Sequence, residues 1–231
     1  MRRALVAGWL LLCPVAPAMA YVDVNIGINL GGYPALQPIP GYPVYYAPDV
    51  NANYFFYDGL YWVFDGNDWF ASSWYNGPWQ RVDRFEVPVY LLRVPVRYYR
   101  HAPDYFRQWR ADGPPRWDAR WGREWSDRHR GWDRWDRRNT PRPAPLPTYQ
   151  RDYRGDRYPG PVQQREMQSR NYGHRPSDPN VARFYESRGG RDIVTPREAA
   201  AIEQSRSEQR ERQMNPQERI NRDRDRQGGG G

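Results

Sequence analysis

Hydrophobic and polar residues alternate strictly at the start of the chain's ordinary-looking part. Val22, Val24, Ile26, Ile28 and Leu30 are set against Asp23, Asn25, Gly27 and Asn29. A period of two over this length predicts a half-buried strand over 22–30. Five prolines then fall between Gly31 and Pro48, at 34, 38, 40, 43 and 48. Proline has no N–H to give a ladder, so 31–48 reads as an extended connector rather than regular structure.

The pattern is richest in the meander region, 53–96. Tyr57-Asp58-Gly59-Leu60-Tyr61-Trp62 is echoed seven residues later by Phe64-Asp65-Gly66-Asn67-Asp68-Trp69. A looser copy follows at Tyr75-Asn76-Gly77-Pro78-Trp79. Asp-Gly and Asn-Gly tolerate the positive φ that two-residue hairpin turns demand, and aromatic residues flank them. Strands are predicted near 53–58, 60–65, 68–75, 78–83 and 87–94, with Pro88 and Pro95 moving the last towards a sheet edge. Leu60, Trp62 and Phe64 share one face, while Tyr61 and Val63 share the other. Both faces are apolar, so each needs a cover.

The expected cover is the helical segment 103–138. Pro103–Arg110 suits a short helix. Pro114-Pro115 opens a longer one, 115–138, with proline in the first turn where it is tolerated. On a helical wheel Trp117, Trp121, Trp125, Trp132 and Trp135 gather on one side. Arg116, Arg120, Arg123, Arg130, Arg134, Arg137 and Arg138 gather on another, and Arg128 alone lies with the tryptophans. Arg123–Asp127, Glu124–Arg128 and Asp133–Arg137 are spaced to pair at i,i+4. Gly122 and Gly131 each cost about 1 kcal/mol against alanine and mark where the helix would break. The tryptophan side is expected to cap the sheet. A helix of this length runs to about 36 Å against about 20 Å for a six-residue strand. Part of the stripe should therefore overhang, which makes the five tryptophans the candidate interaction surface.

Composition divides the chain at the same place. From residue 21 onward there are 32 Ile, Leu, Val and Phe, and 23 of them lie between Val22 and Val96. Residues 139–161 carry six prolines among arginines. Later helix-start signals, Thr195-Pro196-Arg197-Glu198 and Asn215-Pro216-Gln217-Glu218, lead into segments with almost nothing apolar. The expectation is a disordered Pro/Arg-rich tail over 139–231, with marginal helices near 196–213 and 216–226. Charge follows suit. Residues 21–96 hold three arginines and seven acids, whereas 97–231 hold thirty arginines and twenty acids. An acidic folded part with a basic arm suits electrostatic contact with an anionic surface or an envelope protein.

The first twenty residues read as a signal peptide: Arg2-Arg3, an apolar run Ala4–Ala16 and an Ala18-Met19-Ala20 cleavage site. The run falls short of the ~20 residues a spanning helix needs. Cleavage after Ala20 would remove Cys13, the single cysteine, and deliver a periplasmic or secreted protein. Leu12 and Pro14 flank Cys13 poorly for lipidation.

The residues offer little for catalysis. His101, His129 and His174 lack metal-ligand spacing, and no nucleophile elbow or phosphate-binding glycine loop appears. Asp58, Asp65 and Asp68 form the one acid/base set that can be assembled, and the glycines beside Asp58 and Asp65 mark those two as turn formers. No catalytic, cofactor-binding or metal residue is therefore nominated, and a non-enzymatic protein is expected. Interleaved Arg and Trp also suit nucleic acid. Export argues against that partner, and so do the twenty acids opposing the tail's arginines. A tryptophan stripe backed by arginine would equally suit peripheral contact with an anionic membrane, and exposed hairpin rings could stack on sugars.

Several of these stretches resemble an uncharacterised group of small exported proteobacterial proteins rich in Tyr, Trp and Gly. They are Val22–Leu30, Gly41–Pro48, Tyr54–Trp79, Val94–Arg100 and Pro114–Trp117. Trp74-Tyr75-Asn76-Gly77-Pro78-Trp79 also fits one copy of the W-x-x-G-x-W pattern of an exported repeat family. The resemblance implies export and a small aromatic domain, and carries over no functional residues. The expected fold is α+β: a small antiparallel β-meander within 21–138, covered by an amphipathic Trp-rich helix.

Overall fold

The structure is a computed structural model that describes residues 23–24 and 26–189. The signal segment and the marginal helices expected near 196–213 and 216–226 lie outside the described residues. The chain divides into two compact units, Met1–Val181 and Ala182–Gly231.

The first unit is built on a seven-stranded antiparallel sheet. Its strands are β1 (Asp23–Val24), β2 (Gln37–Pro38), β3 (Val44–Tyr46), β4 (Asn53–Tyr57), β5 (Leu60–Asp65), β6 (Asp68–Ser72) and β7 (Trp79–Val82), in the spatial order β1-β7-β6-β5-β4-β3-β2. Helices α1 (Val89–Leu92), α2 (Trp117–Arg128) and α3 (Pro161–Asn171) follow, then α4 (Pro179–Gly189), which runs on into the second unit. Within that unit's described residues the Phe184 and Tyr185 rings meet edge to face at 6.3 Å. The class is α+β, as expected.

The hairpin reading holds at its centre. Tyr57 pairs with Leu60 across Asp58-Gly59, whose φ angles of 49° and 96° are the double positive φ of a type I′ turn. Asp65 pairs with Asp68 across Gly66-Asn67, with Gly66 at φ 63°. Both faces of β5 are buried from Leu60 to Phe64. On one face Tyr54, Phe56, Tyr61, Val63, Phe70 and Trp79 form a cluster, against which Ile26, Ile28, Leu30, Leu36, Leu146 and Tyr158 pack. On the other, Phe64 meets Trp69, Tyr99, Phe106 and Trp117 at ring separations of 5.2–6.1 Å.

Elsewhere the structure corrects the pattern. Alternation over 22–30 survives as alternating burial of 26–30, but of the described residues there only Asp23–Val24 joins the ladder, against Gln80 and Trp79. The connector 31–48 contains β2 and β3, so it is not free of regular structure. Segment 87–94 is not a strand. β1 pairs with Trp79 and Gln80 on the outer side of β7, and 87–94 joins no strand of the sheet. Its N–H groups bond locally instead, Leu91 N to Pro88 O at 3.0 Å and Arg93 N to Val89 O at 3.0 Å, giving α1 with Leu91 and Leu92 buried.

The largest correction concerns 139–189, expected to be disordered. These residues carry 3-10 turns at Thr148–Asp152 and Gly155–Arg157, then α3 and α4. Up to Val181 they are part of the first unit, where amides and phenols join the aliphatic side chains of Ala144, Leu146 and Val181 in the packing. Gln150, 0% exposed, accepts from Tyr61 Oη at 3.0 Å and donates to Ser73 O at 2.9 Å. Gln164, 1% exposed, donates to Gly77 O at 3.1 Å and Pro159 O at 3.0 Å. Tyr158 Oη donates to Gly77 O and accepts from Asn76 N, and the Trp74 ring stands edge-on to Tyr149, Tyr153 and Tyr158. The Trp74–Trp79 motif is thus the post around which 149–164 is wound. Gly77 is required there: its φ is 86°, and an added Cβ would lie 2.8 Å from Trp79 Cδ1.

Candidate functional site

The tryptophan stripe does not form one surface. Pro114 and Pro115 lead into α2, Gly122 interrupts it at φ 81°, and helix ends at Arg128 rather than Arg138, with Gly131 also at positive φ. The two glycines that weaken the pattern are where the chain turns. Trp117 and Trp125 are each 0% exposed. Trp117 Nε1 donates to Leu92 O at 2.9 Å, and Trp125 Nε1 donates to Arg84 O at 3.0 Å. A buried indole with its N–H satisfied is core, so these two leave the candidate interaction surface.

The other three are half-buried. Trp121 stacks on Trp117 at 4.5 Å, and Trp132 stands edge-on to Trp125 at 5.5 Å. Trp135, past the end of α2, packs on Tyr42 at 5.5 Å. His129 stacks flat on Trp125 at 4.3 Å.

The arginines of α2 stay in water. Glu124–Arg128 forms at 2.8 Å and Arg123–Asp127 at 4.0 Å, with Arg130–Asp127 added at 2.9 Å. All are exposed pairs, worth about 0–1 kcal/mol each. The stray Arg128 is accounted for: its guanidinium lies 4.4 Å above the Phe85 ring. The expected Asp133–Arg137 pair is absent from the ion pairs of the described residues. Arg137 instead lies 5.4 Å from the Trp135 ring centre and 5.7 Å from that of Tyr42. Arg93 takes the same indole at 4.6 Å.

The acid set Asp58, Asp65 and Asp68 is not brought together. Asp65 and Asp68 close one end of the β5 hairpins, where Asp68 pairs with Arg81 at 2.7 Å, and Asp58 sits at the other end. Asp58 anchors a cluster that the sequence pattern missed. It is 5% exposed. Its carboxylate accepts from His174 Nε2 at 2.8 Å, Ser177 N at 2.8 Å, Asp178 N at 2.7 Å and Ser177 Oγ at 3.4 Å. The Ser177 hydroxyl turns to the carboxylate that already holds the imidazole. The set is therefore a clamp on an Asp, with four donors converging on one group. With partners 116–120 residues away, the sequence offered no signal for it beyond an Asp in a turn.

Asp178 closes the clamp. Tyr57 Oη donates to Asp178 Oδ2 at 3.2 Å. Burial, reinforced by the negative charges of Asp178 and Asp58, holds the Tyr57 phenol far above its ordinary range, so it serves as a donor. Burial also raises the Asp178 carboxyl above its usual 3.8, against the hydrogen bonds that lower it. A raised carboxyl binds its proton more tightly in the folded state. It therefore favours folding below pH about 3.8, and that contribution fades as pH rises through the raised value. Asp178→Asn keeps an acceptor for Tyr57 and removes the titration. Its stability relative to the wild type should rise as pH climbs from about 3 to about 7, read as melting temperature against pH. A relative stability that falls over that range would reverse the sign argued here.

Among the described residues no group of three His, Cys, Asp or Glu is placed to hold a metal ion, and no helix is long and apolar enough to cross a membrane. Compared with protein-family models, curated proteins and solved structures, the chain matches none.

Proposed function

We propose that the chain is a non-catalytic exported protein, periplasmic or secreted, whose aromatic domain presents an arginine face to an anionic partner of the envelope. The observation that carries this reading is the division of α2. Its tryptophans at 117 and 125 are 0% exposed, while Arg116, just before it, and Arg120 and Arg123 within it are exposed, Arg120 also resting 4.6 Å from the Tyr105 ring centre. The apolar half of the helix serves the core and the cationic half is what a partner can touch. Export rests on the segment Met1–Ala20, in keeping with the resemblance to small exported Tyr/Trp/Gly-rich proteins. The cover of the meander is a short, broken Trp-bearing helix, and the residues after Asn139 act as a second cover rather than a free arm up to Val181.

Contact with a membrane, on this reading, is electrostatic rather than insertive, since the deepest tryptophans are unavailable. Protein produced from residue 21 onward should co-sediment with vesicles rich in anionic lipid at low ionic strength and be released by salt. Each surface arginine is worth about 1 kcal/mol near such a surface. Replacing Arg116, Arg120 and Arg123 together by Gln should therefore weaken binding at least about tenfold, with the melting temperature lowered by no more than about 5 °C, the cost of the exposed Arg123–Asp127 pair and the Arg120–Tyr105 contact. Equal sedimentation of the triple variant would sink the reading.

A further inference from the structure

A second cationic group sits away from the exposed face of α2, where α1, the 3-10 turn after it and the end of the Trp stripe meet the loop before β3. The Trp135 ring is flanked by two guanidiniums, Arg93 at 4.6 Å and Arg137 at 5.4 Å from its centre. Arg137 Nη2 also donates to Tyr42 Oη at 3.5 Å, and Tyr42 packs on Trp135. Arg97, on the 3-10 turn after α1, rests its guanidinium 5.2 Å from the Tyr98 ring centre, close enough for its charge to act on the Tyr42 phenol as those of Arg137 and Arg93 do.

Three features separate this group from arginines merely resting on rings. None of the three has a carboxylate partner among the ion pairs of the described residues, although six other arginines of 81–130 do. The nearby acids are otherwise disposed. Asp136 is occupied capping Arg138 N and Asn139, Asp133 acts on Arg93 only at a distance, and Asp112, which acts on Arg97 at a distance, is paired with Arg110 at 3.1 Å. Arg93 is half-buried, and burial lowers its pKa. A charge held partly out of water without a counter-charge costs stability that an anion would return. Finally, Nε1 of the same Trp135 indole on which the two guanidiniums rest is buried with no hydrogen-bond partner, an unused donor.

We infer that Arg93, Arg97, Arg137, Tyr42 and Trp135 form a binding site for a phosphate group. Two guanidiniums already braced on one indole lose little freedom on binding, and their forks match the oxygens of phosphate. A phosphate dianion also balances more of this charge than a carboxylate does. The site deepens the docking reading above and rests on it, but it uses different arginines.

The test is calorimetric titration of the chain from residue 21 with inorganic phosphate, beside sedimentation with phosphatidylcholine vesicles with and without phosphatidic acid. Arg137→Gln and Arg97→Gln, both at exposed positions, should each weaken phosphate binding about tenfold, the loss of one charge-assisted contact. Arg123→Gln should leave it unchanged. Dependence on Arg137 in the free-phosphate arm identifies a soluble phosphate, and dependence in the lipid arm alone identifies a lipid headgroup. Either supports the site. Binding in neither arm overturns it. So does phosphate binding that survives Arg97→Gln and Arg137→Gln while melting temperature falls, which would make these arginines braces. The triple α2 variant keeps the two readings apart. Vesicle docking that survives it, with phosphate binding lost in Arg137→Gln, removes the docking reading and leaves this site standing. Loss of docking in the triple variant, with phosphate binding indifferent to Arg137, does the reverse.

Discussion

Replacing Trp117 by Ala is expected to destabilise the domain by about 3–5 kcal/mol, the range for truncating a fully buried large aromatic. The indole is 0% exposed and touches the Phe64, Trp69, Phe106 and Trp121 rings at 4.5–6.2 Å. Four aromatic neighbours cannot collapse into the space left, because each is held by its own strand, turn or helix. The Leu92 carbonyl also loses its N–H partner at the end of α1. Trp117→Phe keeps most of the packing and loses that hydrogen bond, so its cost should be smaller, near 1–2 kcal/mol. Urea denaturation of both variants measures the pair of values. A Trp117→Ala protein as stable as the wild type would show that the cover over Phe64 and Trp69 is not made by this residue.

The second large effect is at Asp58. Asp58→Ala removes the acceptor of two backbone N–H groups, an imidazole and a hydroxyl, all gathered around a side chain 5% exposed. It also places alanine at φ 49°, a conformation that asparagine and aspartate enter more readily. Stranded donors and backbone strain together predict a loss of about 3–5 kcal/mol. Asp58→Asn keeps the turn and one acceptor oxygen, and should lose about 1–2 kcal/mol. Amide exchange distinguishes the two causes. The Ser177 and Asp178 amides should exchange faster in both variants, whereas the amides of β4 and β5 should weaken markedly only in Asp58→Ala. Unchanged protection at 177 and 178 in Asp58→Asn would dismiss the clamp.

These two residues also show how far the sequence could be read. Trp117 was legible, because a Trp every four residues with arginine opposite gives a helix one dry side. Which tryptophans became core was not legible, because Gly122 and Gly131 redirect the chain and the register of the stripe against the sheet is lost at each. Asp58 was legible only as a turn residue. Its clamp is made by donors more than a hundred residues away, and no spacing rule links them. Segment 139–189 was misread for a related reason. Counting Ile, Leu, Val and Phe measures aliphatic burial, whereas Gln150, Gln164 and Tyr158 attach this segment by hydrogen bonds to the Trp74–Trp79 turn. The arginine group around Trp135 was half visible, as Arg137 on the charged side of a wheel, but its neighbour Arg93 comes from the end of α1.

By itself, then, the sequence determined what depends on a few neighbouring residues. Asp58-Gly59 accepts positive φ and so fixes the β4–β5 hairpin, the apolar positions of β5 demand a cover on each face, and glycines limit α2. The tertiary structure alone decided what depends on competition for partners. β1 pairs beside β7 while 89–92 closes its own hydrogen bonds as helix, and the β-meander's turns collect the amides and phenols of 149–178. Local backbone preference acts within a few bonds and leaves a readable pattern. A buried hydrogen bond or ion pair depends on which distant groups arrive together, and only the assembled fold specifies that.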